Sequence, residues 1–263
     1  MIETFLKILS NKRVSQDTFL LRLLSPEIAA CAVPGQFLMV RINDGLDPVL
    51  RRPFSICGVE EEGIVRILFK VVGRGTRFLS NKVSGESLSV LGPLGKGFEN
   101  TGKSKNIFFV SGGIGIAPLL FLYQSTVEKS DITFLTGFRS SGEIIDPVLT
   151  GENINTVIAT DDGSMGYNGR ITSLLSDRIK HGVSSDIYLY ACGPLPMLKG
   201  LREICLRHKI ACQVSMETIM ACGLGACQGC VIQSDISKAD RPYVHVCKEG
   251  PVFDIDDIDW NNI

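Results

Sequence analysis

NIFFVSGGIGIAP, Asn106 to Pro118, decides how the middle of this chain folds. Four apolar residues, Ile107 to Val110, give way after Ser111 to three glycines in four positions, and an apolar helical pattern begins at once. A strand that opens through glycine into a helix leaves free N–H groups and the positive end of a helix dipole at the strand's carboxyl end. That arrangement suits phosphate. The run departs from G-x-G-x-x-G because Pro118 stands at the third glycine, a position where proline's missing N–H costs nothing in a first helical turn. Taken alone, the run is equally a tight turn between strand and helix.

Its surroundings extend the reading. From about 104 to 210, apolar strands alternate with helical patterns: Asn106–Ser111, Ile132–Phe138, Thr156–Thr160 and Ile187–Ala191 are the predicted strands, which implies a parallel sheet. Ligands of such sheets lie beyond the carboxyl ends of the strands. The second strand ends in Thr136-Gly137-Phe138-Arg139 and the last in ACGPLPM, Ala191 to Met197. With Gly112, Gly113 and Gly115, these ends converge on one crevice. Thr136, Arg139, Gly193 and Pro194 become candidate ligand contacts, Arg139 for a phosphate or ribose. Cys192 is a candidate to lie beside a nicotinamide ring, the alternative being a buried structural thiol. Arg139-Ser140-Ser141 has room for an additional phosphate, whereas the Asp161-Asp162-Gly163 turn suggests ribose contact, so NAD and NADP both stay open.

N-terminal to this region, residues 1–100 read as all-β. Short apolar runs (Thr18–Leu24, Phe37–Ile42, Val65–Val72) are separated by turn material that includes Pro34-Gly35 and Asn43-Asp44-Gly45, a spacing that predicts a small antiparallel barrel. Arg51-Arg52-Pro53-Phe54-Ser55 falls at a strand start or turn. There an arginine can clamp a pyrophosphate, an aromatic can face a planar ring and a hydroxyl can reach a ring heteroatom. Gly73-Arg74-Gly75-Thr76 ends the strand containing Phe69-Lys70-Val71 and adds donors, and Gly92 to Phe98 closes the barrel with a glycine-rich turn. Surface charge and hairpin turns are the plain alternatives for these stretches.

The last module announces its chemistry most directly. MACGLGACQGC, Met220 to Cys230, places Cys222, Cys227 and Cys230 at plant-type spacing for a [2Fe–2S] cluster, with Cys247 as the fourth thiolate. Gly223, Gly225 and Gly229 let the loop curl so that backbone N–H groups approach the sulfurs. A four-thiolate zinc site is the alternative, but its ligands usually arrive as two separated pairs.

Composition sets the frame. A chain of 263 residues, 44% hydrophobic and 21% charged, suits one to three globular domains, here 1–100, 101–210 and 211–263. A net charge of −1 gives no reason to expect nucleic acid or a membrane surface as partner. No apolar stretch approaches a transmembrane length, Met1 to Ser10 does not read as a signal peptide, and nine cysteines then suggest a reducing, cytoplasmic location. Cys31, Cys57, Cys205 and Cys212 are expected to be small buried residues. His181, His208 and His245 are isolated, and the acidic end from Asp254 to Asp259 reads as a solvated face.

Together the motifs resemble the ferredoxin-NADP reductase superfamily over roughly residues 1–200. The R-x-[YF]-[ST] pattern stands as Arg52-Pro53-Phe54-Ser55 and G-x-G-T as Gly73-Arg74-Gly75-Thr76, with GGIGIAP and Cys-Gly-Pro-x-x-Met, Cys192 to Met197, as the pyridine-nucleotide elements. The resemblance implies a flavin-binding antiparallel β-barrel holding FAD through Arg52, Pro53, Phe54, Ser55, Phe69, Lys70, Val71, Gly75 and Thr76. It also implies a parallel-sheet nucleotide-binding domain for NAD. Such reductases often end in an aromatic stacked on the flavin; here the chain continues instead, and Trp260 is too distant in sequence for that role. The full order, ending in Met220-Ala221-Cys222-Gly223, resembles the electron-transfer subunits of type B dihydroorotate dehydrogenases along the whole chain. That likeness implies a partner, an FMN-containing dihydroorotate dehydrogenase catalytic subunit, in a heterotetramer of two of each. It also implies electron flow from FMN through the [2Fe–2S] cluster and FAD to NAD⁺ in pyrimidine biosynthesis.

The residues support much of this without the likeness. A two-electron carrier and a one-electron cluster need an intermediate able to do both, and flavin is one. Nothing in the chain looks like an organic-substrate site, so a protein redox partner is expected. The small subunit of an NADH-dependent ferredoxin:NADP transhydrogenase or of a sulfide dehydrogenase shares the modular order. A free-standing NADH diaphorase, or a zinc-stabilised or redox-sensing protein without catalysis, are the other readings.

Overall fold

The computed structural model describes residues 2–43, 45, 47–99, 106–127, 129, 132–146, 154–180, 186–237 and 241–263. Asp44 of the predicted Asn43-Asp44-Gly45 turn and His181 lie outside them.

The first module is a closed antiparallel barrel of six strands: β1 (Ile2–Arg13), β2 (Thr18–Leu24), β3 (Phe37–Arg41), β4 (Arg52–Glu60), β5 (Ile64–Lys70) and β6 (Ser87–Leu94). Their order around the barrel is β1-β2-β5-β4-β3-β6. Alternate residues of β6 point inward, and Leu88 and Val90 meet Leu21, Leu38, Ile56 and Ile67 in one apolar core. Two short helices decorate the barrel, α1 (Pro26–Cys31) and α2 (Arg74–Ser80). Gly73 to Thr76 therefore does not simply end a strand: β5 stops at Lys70, and Arg74 opens α2. Gly92 to Leu94 likewise belongs to β6 rather than to a turn. Cys31 is exposed, contrary to expectation, because α1 is a six-residue surface helix that buries only Ile28. Cys57, Cys205 and Cys212 are buried as expected.

The second sheet has the order β10-β9-β8-β7-β11-β12-β15. Its strands are β7 (Asn106–Gly112), β8 (Ile132–Phe138), β9 (Thr156–Thr160), β10 (Tyr167–Asn168), β11 (Ile187–Cys192), β12 (Ala211–Ser215) and β15 (Val252–Asp254). All pair in parallel except β15, which runs antiparallel to β12. The sheet thus runs past residue 210 and takes its edge strand from the cysteine-rich end of the chain. Helix α3 (Ile116–Ser125) is buried from Ile116 to Tyr123 because it lies between the barrel and the sheet, which explains a sequence, IAPLLFLY, that is apolar all round. Its Gln124 is clamped to β4: the side-chain carbonyl accepts from Val59 N at 3.0 Å and the amide donates to Val59 O. Helices α4 (Ile171–Lys180) and α5 (Leu195–His208) are more ordinary amphipathic helices packed on the sheet. A two-stranded ribbon, β13 (Val231–Gln233) with β14 (Tyr243–His245), completes the C-terminal region. No helix is long and apolar enough to cross a membrane among the described residues.

Candidate functional site

Two connected cavities and a cysteine loop lie in sequence across the junction of the three regions. The first cavity, about 340 Å³, opens beside the start of β4 and the end of β5. Arg52, Pro53, Phe54, Ser55, Phe69, Lys70 and Thr76 all line it. Phe54 and Phe69 meet edge to face at 5.9 Å. Thr76 Oγ1 accepts the N–H groups of Val72 and Gly73 at 3.0 and 3.2 Å, which ties the start of α2 to the end of β5. A Cβ on Gly75 would stand 3.4 Å from Arg52 Nε, so this glycine leaves room for the guanidinium. The two arginines divide. Arg51 Nη1 donates to Ser89 O at 2.9 Å and its Nη2 pairs with Glu3 at 2.5 Å, closing the barrel seam, while Arg52 faces the cavity. Val71 turns away to pack on the barrel core, its N–H bonded to Asp17 O at 2.8 Å.

Another wall of this cavity comes from Ser215 at the end of β12 and from Met216, Glu217, Thr218 and Met220 directly after it. Trp260 is elsewhere, its Nε1 donating to Ile255 O at 2.6 Å beside a separate cavity with Lys199 and Arg202. Glu217 is exposed into the cleft but walled by protein, and that desolvation raises its carboxyl above the usual carboxylate range. Nothing in the sequence flagged Glu217, since its position depends on β12 joining the sheet.

The second cavity, about 490 Å³, shares Lys70, Ile114 and Glu217 with the first and lies beyond the carboxyl ends of the parallel strands. Gly112, Gly113, Arg139 and Pro194 line it, together with Asp161 and Arg170. Gly115 does not line it: a Cβ there would collide with the Cys192 carbonyl, so Gly115 lets the β7–α3 turn seat on the end of β11. Gly193 serves the same packing, a Cβ there meeting Met197 Cε at 2.6 Å. Thr136, Ser111, Cys192 and Ser215 form one row across β8, β7, β11 and β12. All four are buried, and among the described residues the hydroxyls of Ser111 and Thr136 have no hydrogen-bond partner. Cys192 lines neither cavity. Burial, and then the charge of Glu217, hold its thiol well above its ordinary value despite a hydrogen bond with Ser215, so it stays protonated. Arg139 is paired to Glu143, which also holds Lys70 at 3.2 Å.

The cysteine loop follows the wall of the first cavity by two residues: Met220 lines the cavity and Cys222 begins the thiol set. Two residues of chain span at most about 7 Å, so the cavity and the thiols adjoin. Gly223 has a φ of 73° and sits on the barrel, where a Cβ would lie 2.6 Å from Met39 Cγ. Backbone N–H groups point at sulfur: Leu224 N to Cys222 Sγ at 3.3 Å and Gly225 N to Cys247 Sγ at 3.1 Å. Burial raises the Cys222 thiol, but the N–H groups of Leu224, Cys227 and Ala226 and the Cys227 side chain outweigh it and bring the thiol down to about 6. Cys230 and Cys247 stand 3.2 Å apart, and burial together with that neighbour pushes Cys247 up to about 12. Two thiolates on one tetrahedral metal at ~2.3 Å would stand about 3.8 Å apart, a small adjustment from this spacing. The thiols pair as Cys222 with Cys227 and Cys230 with Cys247. Pairs of this kind, with N–H donors aimed at them, fit a two-iron cluster. Of the histidines, His208 closes α5 at the surface. His245 is held between Glu249 at 3.0 Å and Gln228 at 3.1 Å.

Comparison with known proteins points the same way. Residues 217–259 match the iron–sulfur cluster binding domain of dihydroorotate dehydrogenase B. The chain is 36% identical over 257 residues to the dihydroorotate dehydrogenase B (NAD(+)) electron transfer subunit of Desulforamulus reducens, covering 97% of each. It is 38% identical over 252 residues to that of Caldanaerobacter subterraneus subsp. tengcongensis, covering 94% of each. Among solved structures it resembles the NADH-dependent reduced ferredoxin-NADP oxidoreductase studied for flavin-based electron bifurcation, with a TM-score of 0.83, 26% identity and coverage of 98% and 91%. A ferredoxin NADP⁺ reductase from Neisseria gonorrhoeae shares the fold at a TM-score of 0.69 and 18% identity, covering 81% of this chain and 99% of that one.

Proposed function

This chain belongs to the family of dihydroorotate dehydrogenase B (NAD(+)) electron transfer subunits, and from that premise we propose a division of labour among its residues. The protein is an NAD-linked iron–sulfur flavoprotein that passes electrons from a dihydroorotate dehydrogenase catalytic subunit to NAD⁺ in pyrimidine biosynthesis. When bound, FAD exchanges a hydride for single electrons and the [2Fe–2S] centre carries single electrons.

The observation that carries the reading is adjacency: one segment, Ser215 to Cys222, runs from the wall of both cavities into the thiol loop. Arg52 and the start of α2, with Gly75 and Thr76, hold the FAD pyrophosphate. Pro53, Phe54, Ser55, Phe69 and Lys70 frame the ring, and Val71 supports that strand end from the barrel side. Gly112, Gly113, Arg139 and Pro194 receive NAD at the N-termini of α3 and α5, while Gly115, Gly193 and the Thr136 row shape the floor. Cys192 acts as a neutral thiol beneath the nicotinamide rather than as a thiolate. Cys222, Cys227, Cys230 and Cys247 hold the cluster. The domain limits of 1–100, 101–210 and 211–263 belong to this proposal, with β12 and β15 bridging the last two. The catalytic partner carries FMN and assembles with this chain as two of each in the cytoplasm, a reading supported by the family's resemblance and by the thiol-rich composition.

The small subunit of a ferredoxin:NADP transhydrogenase is the second reading, favoured by the 0.83 TM-score. The higher identity of the dihydroorotate dehydrogenase relatives weighs against it. The deciding measurement is anaerobic visible absorbance of the tagged chain purified from its own host. Bleaching of flavin and cluster bands by dihydroorotate is the expected result. Bleaching by NADH alone would leave the reductase reading with another or a missing partner, and a well-folded, colourless preparation would refute electron transfer.

A further inference from the structure

Lys70 and Arg139 reach the dinucleotide cavity from different parts of the fold, Lys70 from the end of β5 in the barrel and Arg139 from the end of β8 in the parallel sheet. Each is a cation that a pyrophosphate or phosphate would seek. Neither is free. Glu143, on the short turn Ser141–Glu143, pairs with Arg139 and stands 3.2 Å from Lys70. Its side chain is only 14% exposed, lines the cavity itself and stays ionised, because the Arg139 guanidinium holds it below the usual carboxylate range. The turn is tied to the barrel, since Gln16 N donates to Gly142 O at 3.1 Å. It is tied to the sheet as well, since Ser141 N donates to Ser164 Oγ at 2.7 Å. Asp161 also lines the cavity and its charge, like that of Asp17, acts on Arg139.

We propose that Glu143 is a resident counter-anion of the dinucleotide site, one that the phosphates of an incoming ligand must displace from Lys70 and Arg139, and that it biases the site toward the less charged NAD over NADP. The inference rests on the reading of this cavity as the NAD site. The physical argument is competition: two cations that would draw a polyanionic ligand already have a carboxylate between them. A 2′-phosphate adds nearly two further negative charges to the ligand. It therefore loses more than NAD does from each carboxylate fixed in the cavity. Glu143 has this effect without touching the reacting ring, so it is a specificity-determining residue and not a catalytic one.

The test compares the flavin- and cluster-loaded chain with its Glu143→Gln variant, whose amide keeps the size of the side chain. Anaerobic stopped-flow reduction of the flavin by NADH and by NADPH separates the dissociation constant from the limiting rate. In the variant, NADH is expected to bind about fivefold more tightly, the scale of one partly exposed ion pair. NADPH should tighten by a larger factor, and the limiting rate with NADH should change less than its dissociation constant. The gain should shrink as salt rises. Binding of either dinucleotide that is unchanged or weaker in the variant overturns the proposal, since a merely structural turn would loosen the site. A parent protein that fails to bind NADH at all would instead remove the NAD reading on which the proposal stands.

Discussion

Two glycine-rich turns govern this molecule, and their glycines do different work. In Gly112 to Gly115, two of the three glycines leave room for close packing: Gly115 lets backbone approach backbone at the Cys192 carbonyl, and Gly112, at the cavity edge, makes way for the Pro194 ring, whose Cδ would lie 2.7 Å from a Cβ. Gly113 alone has open space above it. In the thiol loop the turn is wrapped around a future charge, with Gly225 offering its N–H to Cys247 Sγ. The first turn seats a helix and thereby presents a dipole; the second presents donors directly. Composition alone does not distinguish a scaffold glycine from a ligand-facing one.

The comparison can be broken most forcefully at the thiols. Cys227→Ser is expected to abolish electron exchange with the catalytic partner while NADH still reduces the flavin, measured by partner-dependent and partner-free turnover of the same preparation. Loss of both activities in a folded variant would show that the two regions are not separable. The next effect is at Gly115. Replacement by alanine forces a collision with the Cys192 carbonyl and should destabilise the chain by about 3 kcal/mol, the upper end for overpacking, whereas Gly113→Ala should cost about 1 kcal/mol for its positive φ. Thermal unfolding of the two variants side by side checks the order; equal losses would erase the distinction between scaffold and ligand-facing glycine.

The smallest effect concerns the wall between the regions. Glu217 has a raised carboxyl, so between its unfolded and folded values the native state binds more protons and stability falls as pH rises. Glu217→Gln should therefore be more stable than the parent at pH 7 by a few tenths of a kcal/mol, discounted for its opening to the cleft. The gap should close once pH falls below about 4, where the unfolded carboxyl is also protonated. A gap that widened on acidification would reverse the assignment of burial as the cause.

Legibility in the sequence followed how local each feature is. Thr18–Leu24, Ile132–Phe138 and Thr156–Thr160 were readable as strands because their pattern is complete within the segment. The Arg52 stretch and the cysteine spacing were readable because their chemistry needs those residue types at those distances. Glu143 and Glu217 were not, since each matters only through groups far away in sequence that the fold brings beside it. Arg51 and Arg52 look alike in sequence, yet Arg51, just before β4, is drawn to Ser89 and Glu3 across the barrel seam while Arg52, the first residue of β4, faces a cavity. Cys31 was misjudged for a related reason, since nothing local says that α1 lies at the surface. The assignment of β12 to the parallel sheet, and of β15 beside it, depended on pairings that no single segment encodes.

The antiparallel pairing of β15 with β12 has a further consequence for solubility. Without it, β12 would end the sheet as an unprotected edge, a row of open N–H and C=O groups able to recruit another chain. The segment that covers this edge begins five residues after Cys247, so whatever unravels the thiol loop also uncovers the edge. Chemical removal of iron should then appear first as turbidity, detected by light scattering, while flavin stays bound. A stripped protein that remained clear and monomeric would show that the edge is guarded by something other than the metal it adjoins.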